Sequence, residues 1–191
     1  MAVTLATVHP GTVSFNFCWA VAHLLRERAD VEFNAALSGA FISRGRNQLV
    51  AAFLAGQGSH LWFVDSDIGF SPDTLDKLLA ADKPIVAALY YSLANGVPFP
   101  VVVAAPDSKG QDIPRKALMM AGGGVGMGCT LIRREVLEAL GARDLWPFSE
   151  SVQFDTYLSE DITFCLRAKE LGFESWVNVD AKVTHTKSID L

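Results

Sequence analysis

The chain has 191 residues, half of them hydrophobic and 19% charged, which suits one folded domain with a sizeable core and excludes a disordered tract. A net charge of -5 argues against non-specific nucleic-acid binding, and no apolar run is long enough for a membrane span. The first eight residues lack the basic and apolar regions of a secretory signal. Cys18, Cys129 and Cys165 are scattered without a CxxC, as small core residues in a reducing cytoplasm would be.

Residues 3–8 form a β-prone run that stops at the turn signal His9-Pro10-Gly11. Ser14 is placed to cap a helix over residues 15–28, where Phe17, Val21, Leu24 and Leu25 recur at near-helical spacing. Residues 31–37 read as a second strand. Ser43 is then expected to open a second helix with Leu49, Val50, Phe53 and Leu54 on its apolar face, ended by the Gly56-Gln57-Gly58-Ser59 cluster.

The run 61–64 reads as a short buried strand ending in Asp65-Ser66-Asp67. Buried carboxylates are unfavourable unless paired or bound to a cation. No basic residue stands beside these two in the sequence, so a divalent metal is the leading partner. The alternative is a plain turn, because Asp also favours strand ends and helix caps. Ser71-Pro72-Asp73 then starts a helix with Pro in its first turn, and residues 84–91 supply a fourth strand.

Strands alternating with helices imply a parallel α/β sheet, in which ligands gather at the carboxyl ends of the strands. That rule places His9, Arg44, Arg46, Asp65 and Asp67 near one another. The second half differs in character. Residues 97–105 are strand-like, 107–115 a polar loop and 117–120 a further strand. Five glycines within residues 122–128 suggest close backbone approach to a ligand, although no Gly-Lys-Ser/Thr ending marks a phosphate loop. Residues 129–132 form a strand, and 133–140 an amphipathic helix stopped by Gly141. Residues 146–158 read as an aromatic loop, and Ser159-Glu160-Asp161 opens a helix that Gly172 ends. Residues 176–179 read as a strand, and 181–185 end the ordered pattern. With no repeat or linker, the chain is one domain of two halves, 1–95 and 96–191.

These features share an order: an apolar strand ending Asp-x-Asp, a Gly-rich segment entering Cys129-Thr130-Leu131-Ile132-Arg133, a Glu160-Asp161 helix start and a trailing His185. This resembles the GT-A glycosyltransferases, particularly small family-2-like members of bacteria and bacteriophages, over nearly the whole chain. The resemblance implies a single GT-A-like (Rossmann-like) α/β domain with a mostly parallel central sheet flanked by helices. Its first half would bind the nucleotide sugar and its second the acceptor. The implied activity is hexosyl transfer from a nucleoside-diphosphate sugar to an acceptor hydroxyl on a saccharide, protein or modified nucleotide, with inversion. The compartment would be cytoplasmic, in a bacterial or phage-infected cell, and a homo-oligomer is compatible with so short a chain.

Position by position, Asp65 and Asp67 match the family's metal acids for Mn²⁺ or Mg²⁺, as suits hard cations and substrate phosphates. His185 matches a histidine that completes the metal shell. Asp161 matches the general base, with Glu160 beside it, although both acids also suit a helix N-terminus through its dipole. Thr7 and His9 fall where the family meets base and ribose. Arg44, Arg46 and Asn47 match an Arg-Asn element near the phosphates, and Ser66, Gly126 and Gly128 join the donor and acceptor lining. The family's acid after the second strand is replaced by Leu37-Ser38-Gly39, which leaves the base open. Trp146, Phe148, Phe154 and Tyr157 are candidates for an acceptor platform or for core. Three rivals differ in class. A haloacid dehalogenase-type phosphohydrolase would carry its Asp-x-Asp after the first strand. A nucleotidyltransferase would carry a Gly-rich, Arg-containing loop there. A non-catalytic GT-A-like module would lose the acids.

Overall fold

The computed structural model describes residues 2–94, 97–103, 118–143, 146–153 and 156–186. The first half contains β1 (Val3–His9), α1 (Phe15–Glu27), β2 (Val31–Leu37), α2 (Ile42–Ala55) and β3 (His60–Val64). It continues with β4 (Ile68–Phe70), α3 (Thr74–Ala80), β5 (Ile85–Leu89) and the hairpin pair β6 (Tyr91–Ala94) and β7 (Val97–Pro100). The second half adds β8 (Val102–Val103), β9 (Leu118–Met120), β10 (Gly124–Val125), β11 (Cys129–Arg133) and α4 (Arg134–Gly141). It ends with β12 (Ser151–Gln153), β13 (Thr156–Leu158), α5 (Glu160–Glu170) and β14 (Ser175–His185).

The central eight-stranded sheet has the order β2-β1-β3-β11-β5-β14-β4, with β9 paired to β14. β1 is parallel to β2 and β3, and β5 is parallel to β14. β11 lies antiparallel to both β3 and β5, so those two share a direction. Five strands (β2, β1, β3, β5 and β14) therefore point one way, and the sheet is mostly parallel as expected. β11 and β14 come from the second half yet pair directly with strands of the first, so the two halves share one sheet.

Side-chain alternation along the strands sends successive residues to opposite faces and builds two cores. Ala6, Val8, Leu61 and Phe63 pack with Leu49, Phe53, Leu137 and Phe164 on the face covered by α2, α4 and α5. Val3, Leu5, Trp62 and Val64 pack with Phe17, Leu24, Leu75 and Leu78 on the face covered by α1 and α3. Full burial of each Val, Leu or Phe among them contributes about 1.5–3 kcal/mol. Strand β3 is buried on both faces, which is why it reads as a continuous apolar run.

Several boundaries differ from those read in the sequence. Helix α2 starts at Ile42 from an extended Phe41, and Ser43 is buried within the first turn instead of capping it. Pro72 precedes the cap Asp73 and lies outside α3. The run 84–91 is not one strand: β5 stops at Leu89, Tyr90 is buried, and Tyr91 starts a hairpin. Residues 146–158 contain the β12–β13 hairpin, and β4 follows the aspartates. Strands of two to four residues are too short for a period-2 pattern to register. Residues 176–185 belong to one strand whose register shifts between Asn178 and Lys182, where Asn178 accepts a hydrogen bond from Asp180 N–H at 3.0 Å. The expected loop 107–115 lies outside the described residues. Among those described, no helix is long and apolar enough to cross a membrane.

Candidate functional site

Strand β3 delivers the chain to Asp65 at the carboxyl edge of the sheet. Asp65 N–H donates to Gly128 O (2.9 Å), and Ile68 N–H donates to Asp65 O (2.9 Å), closing a turn over 65–68. The turn abolishes strand alternation, so two acids separated by one residue take different directions. Asp65 Oδ1 accepts from Arg46 Nη2 at 3.2 Å. Asp67 Oδ2 lies 3.1 Å from His185 Nε2, across 118 residues of sequence. Ser66 enters through its carbonyl, which accepts Ser14 N–H (2.8 Å) and anchors the start of α1. Ser14 caps that helix as expected, its hydroxyl accepting Phe17 N–H at 3.1 Å.

Arg46 supplies the cation that the local sequence around the aspartates lacks. It projects from α2, is only 3% exposed, and donates through Nη1 to Glu160 at the start of α5. Its guanidinium carbon lies 6.0 Å from the centre of the Phe63 ring and 5.8 Å from that of Phe148, within range of a cation–π contact. Arg46 Nε has no hydrogen-bond partner among the described residues. Burial by itself disfavours the charged guanidinium, but Asp65, Glu160 and Asp161 outweigh it and its pKa is raised. Burial likewise raises the Glu160 carboxyl above the usual carboxylate range, with Arg46 pulling the other way and Asp161 adding to the rise.

The two acids of α5 thus have different surroundings. Glu160 is buried in the ion pair, whereas Asp161 is half-buried. Asp161 Oδ1 accepts from the Ser159 hydroxyl and from Ile162 N–H (2.8 Å). Asp161 Oδ2 has no hydrogen-bond partner among the described residues. Ser159 occupies the cap position, but its hydroxyl serves Asp161 and makes no bond to a helix N–H.

On the other side, His185 Nδ1 lies 2.7 Å from Tyr91 O. A carbonyl only accepts, so Nδ1 carries a proton and Nε2 faces the Asp67 carboxylate. In the neutral ring Nε2 is itself an acceptor, so a proton or a bound cation shared with Asp67 Oδ2 makes the 3.1 Å contact attractive. Among the described residues, no group of three or more His, Cys, Asp or Glu side chains is arranged to hold a metal ion. An oxygen and an imidazole nitrogen at the sheet edge nevertheless fit Mg²⁺ or Mn²⁺, which commonly take one or two protein ligands and complete their shell with substrate phosphates and water.

The glycines serve the same site. Gly128 N–H donates to the Tyr90 hydroxyl at 3.1 Å. A Cβ at Gly128 would stand 2.7 Å from Tyr90 and 3.2 Å from Asp65 Oδ2, and one at Gly126 would collide with Tyr90 and Val101. What approaches the backbone so closely is therefore the Tyr90 ring. Burial raises the pKa of its phenol and Asp65 adds to the rise, so it stays protonated. No motif singled out Tyr90; its place behind Gly128 depends on β11 inserting next to β5.

The remaining site candidates fall into two clefts. Thr7 and His9 line one of about 410 Å³ beside α1, with Phe17, Val21, Phe33 and Ala35. The Thr7 hydroxyl is buried without a hydrogen-bond partner among the described residues, and His9 Nδ1 accepts Gly11 N–H at 3.2 Å. Arg44 faces a different cleft of about 480 Å³, with Phe41, Trp146 and Arg167. Asn47 borders this second cleft, with its amide engaged: it donates to Phe148 O (2.6 Å) and accepts Phe148 N–H (3.0 Å). Of the aromatic candidates, Trp146 and Tyr157 are exposed. Phe148 is core, stacked on Phe164 at 4.7 Å, and Phe154 lies outside the described residues.

No family model matches the chain, and no curated protein matches its sequence. Solved structures do. The crystal structure of A197 from STIV is similar over 98% of this chain and 87% of its own, at TM-score 0.66 and 18% identity. GalNAc-T7, crystallised with UDP, GalNAc and Mn²⁺, is similar over 100% of this chain at TM-score 0.65 and 11% identity. This chain spans only 44% of that protein. A glycosyltransferase involved in glycosylation of the major capsid of PBCV-1 is similar over 99% of this chain and 96% of its own, at TM-score 0.54 and 13% identity. At such identities the likeness shows the fold, which is GT-A-like.

Proposed function

We propose that the protein transfers a sugar from a nucleoside-diphosphate sugar to an acceptor hydroxyl, with inversion at the sugar carbon. The observation that carries this reading is the convergence of Asp65, Arg46, Glu160-Asp161, Asp67 and His185, from four distant segments, on the carboxyl edge of the sheet. In this reading Asp161 is the base, since Oδ2 stands available and Oδ1 is held by Ser159 and Ile162. It takes the proton of the acceptor hydroxyl while that oxygen bonds to the sugar carbon. The bond from that carbon to the diphosphate oxygen breaks, and its electron pair leaves with the diphosphate. Glu160 and Arg46 are positioning residues that tie the Asp65 turn to the base-bearing helix.

Asp67 and His185 would hold Mn²⁺ or Mg²⁺, with Asp65 as the neighbouring acid. A bound cation there supplies Lewis-acid neutralisation of the diphosphate charge. The cleft of Thr7 and His9 suits the flat face of a nucleoside base, because its walls are apolar. The GalNAc-T7 complex, a distant likeness of this fold, was crystallised with UDP and Mn²⁺, which makes a nucleotide and a divalent cation the ligands to try first.

Thermal unfolding with UDP-, GDP-, CDP- and dTDP-sugars, each with and without Mn²⁺, tests the proposal. One nucleotide should raise the unfolding temperature only when Mn²⁺ is present. The absence of any nucleotide-dependent rise would remove the donor reading. Asp161→Asn should keep that rise and lose transfer.

A further inference from the structure

The cleft between the start of α2, the 146–149 segment and α5 has no part in the donor site just described. It is bordered by Phe41, Arg44, Asn47, Trp146, Ser149 and Arg167 and encloses about 480 Å³. On a chain of net charge -5, this lining carries two arginines and no acid. Arg44 has no ion pair or hydrogen bond among the described residues. Arg167 gives one nitrogen to Trp146 O at 2.8 Å, which leaves the rest of its fork to a ligand. Phe41 and Trp146 are 65% and 68% exposed, so two flat apolar faces stand beside two cationic forks. The floor is rigid, because the Asn47 amide clamps both backbone groups of Phe148.

Position connects this cleft to the transfer site. Arg167 follows Glu160 by seven residues, so it lies on the same face of α5, about 10 Å further along the helix. Asn47 adjoins Arg46 on α2. The cleft and the Arg46–Glu160 ion pair are thus flanked by the same two helices, α2 and α5.

Resting on the transferase reading, we propose that this cleft holds the acceptor through an anionic group. The acceptor is then a sugar carrying a phosphate or carboxylate, its ring against Trp146 and its charge between Arg44 and Arg167. Guanidinium forks pair bidentately with both anions, and aromatic faces pack on sugar rings.

Isothermal titration of the whole protein with glucose 6-phosphate, glucuronate, glucose and inorganic phosphate tests it. At least one charged sugar should bind, and more tightly than either glucose or inorganic phosphate. Binding of glucose 6-phosphate alone assigns phosphate, of glucuronate alone carboxylate, and of both the charge they share. Arg44→Gln and Arg167→Gln should each weaken that binding by about tenfold, as loss of one charged hydrogen bond does. Arg44 is exposed and makes no hydrogen bond or ion pair among the described residues, so an unchanged unfolding temperature of Arg44→Gln separates lost binding from lost folding. Equal binding of glucose and the charged sugars, or undiminished binding in both variants, overturns the proposal. The nucleotide-dependent rise in unfolding temperature should persist in Arg167→Gln. Its absence from the wild-type protein would defeat the transferase reading separately, with the arginine variants still deciding what the cleft binds.

Discussion

Asp65 and Asp67 are one residue apart and have different partners. Asp65 is drawn inward to a buried guanidinium shared with Glu160, in a cluster that fastens α2, the β3 turn and α5. Asp67 turns outward to His185 at the end of β14. The inner acid is paired with the Arg46 guanidinium, and the outer one lies against the His185 imidazole. The two carboxylates of the motif therefore serve different partners, one a buried guanidinium on α2 and the other an imidazole at the end of β14.

The largest expected effect falls on the inner cluster. Arg46→Met leaves Asp65 and Glu160 without their shared partner and should destabilise the protein by about 3–5 kcal/mol in urea unfolding. Arg46→Lys keeps the charge but not the two-pronged geometry, so its loss should be smaller. Near-wild-type stability of Arg46→Met would mean that the cluster does not hold the fold.

Next is the wall behind Asp65. Gly128→Ala pushes a methyl group against Tyr90 and Asp65 and should destabilise by about 1–3 kcal/mol. Tyr90→Phe strands the Gly128 N–H and should lose a comparable amount, about 1–3 kcal/mol. Hydrogen exchange at Gly128 would register the second change directly.

The outer acid should behave differently. Asp67→Asn is expected to shift stability by under about 1 kcal/mol, because the pair is partly exposed. The same change should abolish the Mn²⁺-dependent response to nucleotide sugars. A stability loss for Asp67→Asn as large as that for Arg46→Met would erase the contrast between the two carboxylates.

The smallest effect is a pH dependence. Burial raises the folded-state pKa of Glu160, so the folded chain binds that proton more tightly than the unfolded chain does. Its stabilising contribution is complete below the ordinary glutamate value of about 4.3 and declines as pH rises through the raised one. The stability of the wild type relative to Glu160→Gln should therefore fall as pH increases over that interval. A difference that stayed flat or grew with pH would contradict the burial of this carboxyl.

Much of the frame was legible in the sequence because its signals are local. The β3 run, the Ser14 cap and the apolar spacing of α1 each depend on residues within a turn or two of one another. The pairing of Asp67 with His185 was implied only through family resemblance. Arg46 was picked out as a phosphate or base contact; the structure shows it first as the partner of Asp65 and Glu160. No spacing rule links residue 46 to residue 160, since that contact exists only once α2 and α5 pack on the same face of the sheet.

The sequence by itself determined an alternating α/β order, the carboxyl edge on which ligands would gather, and the chemical types assembled there. Those follow from short-range periodicity, turn residues and the unfavourable burial of charge. The tertiary structure alone decided that β11 runs antiparallel between β3 and β5, and that Tyr90 closes on Gly128. It also decided that two aspartates one residue apart serve different partners. Strand order and turn direction are set by contacts among segments from tens of residues to more than a hundred apart, which no local pattern encodes.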